Sequence, residues 1–263
     1  MTLNITIGLA EQIGDIAKRA GEVIMKVYTS DFNVAAKGDK SPVTEADTKA
    51  ENLIFCEIRT KIGNDIPLVG EESVAAGKMP KIDDKPFWLI DPLDGTKEFI
   101  ARNGEFTVNI ALIEDGLCVL GVVYAPAIDA LYWGGAGLGG VRCMGGQTAA
   151  IKVATSNLGK ASRVVASKSH LNEATRSLID RLGEVSLVQA GSSLKFCRVA
   201  EGEADIYPRL APTCEWDTAA AQAVLEGAGG VVLDLQGMPL LYGKPDVLNP
   251  SFIATRDTAL IPA

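Results

Sequence analysis

The segment WLIDPLDGTKEF, residues 88–99, combines the residue types most suited to chemistry. A buried strand is predicted to end at Asp91, because Pro92 cannot donate to a further ladder hydrogen bond, and Asp94 follows three residues later. Two carboxylates on one turn are costly unless a positive charge lies between them. A hard divalent cation with oxygen ligands supplies that charge, and the Leu93 carbonyl is a further candidate ligand.

The residues directly after this turn are suited to binding an anion. Gly95 and Thr96 are predicted to begin a short helix, whose free N–H groups and positive dipole end favour a phosphate. A cation beside an anion-binding helix start indicates phosphate chemistry. The segment alone leaves an alternative open, a solvated turn in which an aspartate caps the helix.

Further acids lie at the predicted ends of helices and strands. Glu71 and Glu72 follow the strand-like run IPLVG, and Asp217 precedes an alanine-rich helix. Asp47 lies three residues after Thr44 in a capping-box pattern. Taken alone, each acid is explained at least as well by solvation or helix capping as by a role in a functional site. Their common placement at element ends, where α/β active sites are assembled, favours one shared site.

Composition limits the classes of function. The 263 residues are 47% hydrophobic, enough for one large domain or two closely packed ones. Lys and Arg number 25 against 33 Asp and Glu, and the net charge of −8 argues against a nucleic-acid polymer or an anionic membrane as partner. The single histidine, His170, excludes a histidine-built zinc site. Five cysteines without a CxxC pair predict reduced thiols.

The chain is predicted to be soluble and cytoplasmic. Its first residues, MTLNITIGLAEQIG, lack a basic region, and Glu11 interrupts the apolar run, which argues against an export signal. The most apolar region, residues 108–126, contains Glu114 and Asp115, so no integral membrane segment is expected. Peripheral association with the cytoplasmic face of the inner membrane and the oligomeric state are left open.

Hydrophobic periodicity predicts an α/β protein with two unlike halves. An α+β domain over residues 1–150 has helices near 5–28 and 44–62 and an antiparallel meander from 107 to 133, ended by the glycine-rich turns of 134–146. Strands and helices alternate in a tightly packed α/β domain over residues 151–263. GxGxxG at 135–140 is better explained by hairpin turns than by dinucleotide binding, since no helical pattern follows.

The combined motifs resemble the inositol monophosphatase superfamily of magnesium-dependent, lithium-sensitive phosphatases. They are GEES, DPLDGT, and WD followed by an alanine-rich helix and AGG. Longer segments at 37–47, 94–112 and 191–220 are similar to the bacterial 3'(2'),5'-bisphosphate nucleotidases of the CysQ type. Lys97 and Glu98 stand where inositol monophosphatases usually have threonine and asparagine.

The resemblance implies a fold and an activity. The fold would be the αβαβα layered sandwich of the inositol monophosphatase and sugar phosphatase type. The activity would be removal of the 3'-phosphate from adenosine 3',5'-bisphosphate to give AMP, with phosphoadenylyl sulfate as a related substrate, in sulfur assimilation and nucleotide recycling. Two or three Mg²⁺ ions per site would be the cofactors.

The resemblance also implies roles for residues of the first half. Thr96, supported by Asp47, would share with Glu71 the orientation and deprotonation of the attacking water. Backbone N–H groups of Gly95 and Thr96 would hold the phosphate, and Glu72 would support the ligands without touching metal. The metal ligands, with Asp91 bridging two ions, would be Glu71, Asp91, the Leu93 carbonyl, Asp94 and Asp217.

Substrate recognition is expected to involve both halves. Lys195 and Arg209 are the candidates for the second phosphate, and ordinary surface charge is their alternative. The weaker candidates, for the nucleoside side, are Ser192, Ser193 and His170. The substrate would also contact Glu71, Leu93, Asp94, Gly95, Thr96 and Asp217.

Two other functions remain as alternatives. An inositol or sugar monophosphatase would use the same metal site on a different ester. A non-catalytic metal-binding regulatory protein is the remote alternative, and the intact set of acids argues against it.

Overall fold

The computed structural model describes residues 3–37, 42–83, 85–155, 162–166 and 172–262. Within these ranges the two long helices predicted near residues 5–28 and 44–62 begin and end close to the predicted positions. The first starts at a Thr6 cap whose hydroxyl accepts from the Leu9 N–H, and the second has the predicted capping box. The helices are α1 Ile7–Tyr28, α2 Glu45–Lys61, α3 Glu71–Ala75, α4 Thr96–Ile100, α5 Glu173–Arg181, α6 Leu194–Ala200 and α7 Ala219–Gly227.

A seven-stranded sheet forms the centre of the first half. Its strands follow one another in chain order, and all neighbours are antiparallel except the first two. A separate two-stranded hairpin precedes it, made of β1 Val34–Ala36 and β2 Pro42–Thr44. The seven strands are β3 Leu68–Gly70, β4 Phe87–Asp94, β5 Thr107–Glu114, β6 Leu117–Ala125, β7 Ala130–Gly135, β8 Gly139–Met144 and β9 Gln147–Ile151.

A five-stranded mixed sheet forms the centre of the second half. Its strand order is β11-β10-β12-β14-β13, with the first three strands parallel and the last two pairings antiparallel. The strands are β10 Ser162–Ala166, β11 Val185–Gln189, β12 Ile206–Arg209, β13 Val231–Asp234 and β14 Phe252–Thr255.

The two sheets and their helices stack as five layers. Successive side chains of a strand point to opposite faces, so Trp88 and Ile90 pack with α1 and α2, whereas Phe87 and Leu89 pack with α6 and α7. The second sheet packs against α6 and α7 on one face and α5 on the other. This αβαβα order confirms the predicted fold class.

The alanine-rich helix α7 lies unusually close to the first sheet. A Cβ added at Gly121 would lie 2.0 Å from the Ala220 carbonyl oxygen, so strand β6 can carry no side chain there. Burial of short side chains on both surfaces brings the backbones together. The start of α7, which follows Asp217, is thereby held against the sheet that carries the other acids.

Two predicted boundaries were wrong. Strand β4 does not end at Asp91 but continues to Asp94, with a register shift against β5 that accommodates Pro92 without a ladder hydrogen bond at that point. The glycine-rich stretch 134–146 does not end the meander, because it contains β8, although its glycines do form the predicted hairpin turn. The two-domain division at residue 150 stays a prediction.

Candidate active site

Asp91 and Asp94 lie at the irregular end of β4, as the turn chemistry predicted. Asp91 is 1% exposed, and its carboxylate accepts from the Leu93 N–H at 2.9 Å. The Leu93 carbonyl oxygen is 3.5 Å from the Thr96 hydroxyl, so it faces the start of α4. The bulge therefore directs two carboxylates and one carbonyl toward the same side of the chain.

Asp47 connects helix α2 to this turn. One carboxylate oxygen completes the capping box by accepting from the Thr44 N–H and hydroxyl, each at 2.8 Å. The other oxygen lies 3.3 Å from the Thr96 hydroxyl, which donates to it. The two interpretations of Asp47 left open by the sequence, helix cap and site residue, therefore both apply.

Glu71 and Glu72 begin α3 at the end of β3 and share a cation from the hairpin. The Lys37 ammonium lies 2.6 Å from Glu71 Oε1 and 2.5 Å from Glu72 Oε1. Burial raises the pKa of Glu72 to about 7, against the opposing effect of Lys37. Sequence reasoning did not assign Lys37 a role, although the KGDKSPV turn just before the capping box is the signal that could have suggested it.

Asp217 joins the other acids from the second half of the chain. It ends a short 3-10 turn, Glu215–Asp217, and its carboxylate accepts from the Cys214 N–H at 2.9 Å. The Asn249 amide donates to the Cys214 carbonyl at 2.7 Å and to the Thr218 hydroxyl at 2.9 Å. Asn249, which sequence reasoning did not single out, thus holds both sides of the Asp217 turn.

Ser193 links the acids of the two halves. It is 1% exposed, and its hydroxyl lies 2.9 Å from Asp94 Oδ2 and 3.0 Å from the Asp217 carbonyl oxygen. The Asn109 amide donates to the same hydroxyl at 2.8 Å. The Ser193 hydroxyl is therefore engaged by groups of the protein itself, and its contact with a nucleoside stays a prediction.

Ser192 lies beside the predicted phosphate-binding turn. Its hydroxyl contacts the carbonyl oxygens of Asp94 and Glu105, each at 2.8 Å. A Cβ at Gly95 would lie 2.1 Å from this hydroxyl, and Gly95 has a φ of 93°. Both the close approach and the left-handed backbone therefore require glycine in DGT. His170 lies outside the described residues.

Four carboxylates are close enough to repel one another. We call them the acidic wall: Glu71, Asp91, Asp94 and Asp217. Burial, and then the charges of the other three, raise the pKa of Asp91 well above its ordinary value. Burial, Asp94 and Glu71 likewise raise the pKa of Asp217. Buried carboxylates that destabilise each other's charged forms indicate that positive charge is needed between them.

The acidic wall fits a hard cation by the chemistry of its donors. Its side chains and the Leu93 carbonyl supply only oxygen ligands, the set that Mg²⁺ prefers. In the described part of the chain, however, no three His, Cys, Asp or Glu side chains stand as a ready-made metal group. Each carboxylate instead has a partner within the protein, from Lys37, the Leu93 N–H, Ser193 and the Cys214 N–H.

Lys195 and Arg209, named the cationic wall, line the same cavity of about 250 Å³ as Glu71, Asp94 and Asp217. Lys195 is 7% exposed, and its ammonium has no hydrogen bond or ion pair with any described residue. It lies 5.5 Å from the centre of the Tyr207 ring. Burial lowers the pKa of Lys195 to about 8, although Asp94 opposes this change. Ordinary surface charge is therefore excluded for Lys195.

Arg209 is partly engaged by its own loop. Its guanidinium donates to the carbonyl oxygens of Ala211 at 3.3 Å and Pro212 at 3.1 Å. These contacts use the Nε and Nη2 atoms, and the side chain still borders the cavity beside Lys195. Both cations therefore border the cavity that Glu71, Asp94 and Asp217 also line.

Comparison with known proteins identifies the class first. A model of the inositol monophosphatase family matches residues 9–262, so the chain belongs to this family, as its motifs suggested. An inositol monophosphatase from Anabaena sp. PCC 7120 has the same fold, with a TM-score of 0.76 and 27% identity over 96% of this chain and 92% of that one.

More similar relatives narrow the class. The chain is 43% identical over 247 residues to the 3'(2'),5'-bisphosphate nucleotidase CysQ of Shigella flexneri, covering 93% of this chain and 98% of the relative. Its Salmonella typhimurium counterpart is 44% identical over 250 residues, covering 94% and 99%. The crystal structure of CysQ from Bacteroides thetaiotaomicron superposes with a TM-score of 0.81 and 38% identity, covering 95% and 98%. In the described residues, no helix is both long and apolar enough to cross a bilayer.

Proposed function

We propose that the protein is a magnesium-dependent 3'(2'),5'-bisphosphate nucleotidase. It would remove the 3'-phosphate of adenosine 3',5'-bisphosphate to give AMP, and it would also act on phosphoadenylyl sulfate. The observation that carries the proposal is that Lys195 and Arg209 line the same cavity as Glu71, Asp94 and Asp217. A monophosphate needs only one phosphate site, whereas a buried ammonium that has no hydrogen bond or ion pair with any described residue suits a second phosphate. The names of the 43–44% identical relatives support the same substrate class.

The acidic wall, which includes Asp91, and the Leu93 carbonyl would hold two or three Mg²⁺ ions. Bound there, Mg²⁺ would lower the pKa of a water molecule and neutralise negative charge on the phosphate and on the leaving oxygen. Binding of Mg²⁺ would be favourable, because its positive charge would relieve the repulsion between these carboxylates.

Thr96 and Glu71 would orient the attacking water and remove its proton. Because the Thr96 hydroxyl donates its hydrogen to Asp47, its lone pairs are free to accept from a water. The Glu71 carboxylate is the nearby base that would take up the proton. Both groups are held by part-buried contacts within the protein, so little reorganisation is needed when substrate binds.

The remaining residues would bind and orient the substrate. The N–H groups of Gly95 and Thr96 would hold the scissile phosphate, and Lys195 and Arg209 would hold the other phosphate. Ser192 borders both places and would contact the substrate between them. Glu72 would act at a distance from the metal, by fixing Lys37 beside Glu71.

The test is phosphate release from a small substrate panel. With Mg²⁺ present, adenosine 3',5'-bisphosphate should be hydrolysed far faster than inositol 1-phosphate, and a chelator should abolish both reactions. Lithium at millimolar concentration should inhibit. A preference for the inositol ester would overturn the substrate assignment in favour of an inositol monophosphatase, and full activity with chelator would overturn the metal mechanism. Roles in sulfur assimilation and nucleotide recycling, and a cytoplasmic location, stay predictions.

A further inference from the structure

Helix α3, which begins with Glu71, is capped by a residue from another helix. Its N-cap is Gly70, which has no side chain to accept the free N–H groups of the first turn. The Glu51 carboxylate of α2 accepts them instead, from the Glu72 N–H at 2.8 Å and the Ser73 N–H at 2.9 Å. The Ser73 hydroxyl adds a third bond to it at 2.6 Å.

The contact between Glu51 and this turn is close and buried. Glu51 is 4% exposed, and a Cβ added at Gly70 would lie 2.3 Å from Glu51 Oε2. Gly70 has a φ of −119°, a conformation open to any residue, so glycine is needed here for space and not for backbone freedom. The carboxylate therefore fills the place of the missing cap side chain.

The same face of α2 also carries Asp47, one turn before Glu51. Residues four apart on a helix lie side by side, so the two carboxylates point toward the same region. Asp47 supports Thr96, and Glu51 supports the turn that carries Glu71. One helix thus contacts Thr96 directly and the residues that directly follow Glu71.

We propose that Glu51 is a positioning residue for catalysis, through which α2 sets the position of Glu71 relative to Thr96. The inference rests on the proposed function, because it concerns the water-activating pair of that site. Glu51 acts through Glu71 and touches neither substrate nor metal. Its loss should weaken metal binding and turnover, and should leave recognition of the second phosphate by Lys195 and Arg209 unchanged.

Glu51→Gln is the informative change, because glutamine has the same shape. A carboxylate accepts all three bonds, whereas the glutamine amide turns two N–H donors toward a site that already supplies donors. One or more bonds are lost and the Glu71 turn is released. Glu57→Gln is the matched control on the same helix, since among the described residues Glu57 forms ion pairs with Arg19 and Lys61, away from the Glu71 turn.

We expect Glu51→Gln to lower kcat about 10- to 100-fold, with KM for adenosine 3',5'-bisphosphate within about twofold of the parent value. Titration calorimetry with Mg²⁺ alone should show about tenfold weaker binding. Glu57→Gln should match the parent in all three measurements. Unchanged kcat and Mg²⁺ affinity in a folded Glu51→Gln protein would overturn the inference.

A double-mutant cycle separates positioning from general destabilisation. In a Glu71→Gln background, the further change Glu51→Gln should alter kcat by less than about threefold, because the group through which it acts is already gone. An equal loss in both backgrounds would contradict the inference. If Glu51→Gln does not fold, Ser73→Ala removes one of the three bonds and should lower kcat and Mg²⁺ affinity in the same direction, and parent values there would overturn it.

The outcomes also separate this inference from the proposed function. A parent protein that hydrolyses no bisphosphorylated nucleotide would defeat the proposed function. An active parent that Glu51→Gln fully matches would defeat only the role of Glu51.

Discussion

The acidic and cationic walls both contain buried charged groups, but they differ in how the protein compensates the charge. Each carboxylate of the acidic wall has a hydrogen bond or ion pair within the protein, and the charges of the wall still raise the pKa of Asp91 and Asp217. The Lys195 ammonium of the cationic wall has no hydrogen bond or ion pair with any described residue, only a contact with the Tyr207 ring, and burial lowers its pKa. This difference agrees with the proposed function, in which the first wall would hold cations and the second would receive the anionic substrate.

The two walls also differ in how the chain delivers them. Asp91 and Asp94 come from one strand end, so a single irregularity of β4 places both. Asp217 comes from the second half, and the Ser193 hydroxyl joins it to Asp94 across the boundary between the sheets. The acidic wall is therefore complete only when the two halves pack, whereas Lys195 and Arg209 both lie on or beside the second sheet.

The largest expected effect tests the acidic wall. Asp94→Asn keeps the side-chain shape but removes one negative charge, so kcat/KM should fall roughly 10²- to 10³-fold, as when a group that stabilises transition-state charge is lost. Initial rates with adenosine 3',5'-bisphosphate and saturating Mg²⁺ measure it. Asp15→Asn, a change at an exposed position of α1, is the control and should behave as the parent. An Asp94→Asn protein as active as the parent would contradict the proposal that the acidic wall holds the metal ions used in catalysis.

A smaller effect, confined to binding, is expected from the cationic wall. Lys195→Ala should raise KM for adenosine 3',5'-bisphosphate about 10- to 100-fold with little change in kcat, because a charge-assisted bond to the second phosphate is worth about 1.5–3 kcal/mol. Inositol 1-phosphate, which has no second phosphate, should be hydrolysed as before. Lys78→Ala, at an exposed position, is the control. Equal losses with both esters would show that Lys195 does not discriminate by the second phosphate.

The smallest effect is a pH dependence of KM. Because burial lowers the pKa of Lys195 to about 8, the ammonium is charged below that pH and loses its proton as the pH rises through it. KM for the bisphosphate should therefore be flat at lower pH and rise above about pH 8, by at most about tenfold per unit. The profile is measured as KM from about pH 6.5 to about pH 9.5, a range that extends to both sides of that pKa. In Lys195→Arg the side chain stays charged, so the increase of KM above about pH 8 should be much smaller. If the same increase persists in this variant, the titrating group is not Lys195.

Sequence reasoning predicted the local parts of the site because those parts are encoded locally. The capping box at Thr44 and Asp47, the turn acids Asp91 and Asp94, and the helix start at Gly95 each depend on residues within a few positions of one another. Pro92 misled the prediction of the strand end, because a bulge lets β4 pass a proline that regular pairing would reject.

The contacts that sequence reasoning missed all join distant parts of the chain. Lys37 meets Glu71 at a separation of 34 positions, and Glu51 meets the Glu72 N–H at 21. Ser193 was a weaker candidate for the nucleoside, and its buried contact with Asn109 of β5 spans 84 positions. A lysine, a glutamate and a serine are usually surface residues, so residue type alone did not mark these three as buried.

The sequence by itself indicated the kind of chemistry. It places candidate oxygen ligands at element ends and a glycine at the start of the predicted anion-binding helix, and its single histidine excludes a histidine-built zinc site. Family membership followed from the same motifs and was confirmed by comparison. Only the tertiary structure decided that Asp47 accepts from Thr96 across 49 positions, that Ser193 contacts Asp94 across 99 positions, and that the buried Lys195 has no hydrogen bond or ion pair with any described residue. The physical reason is that hydrogen bonding and burial depend on distance in space, and long-range packing alone sets that distance.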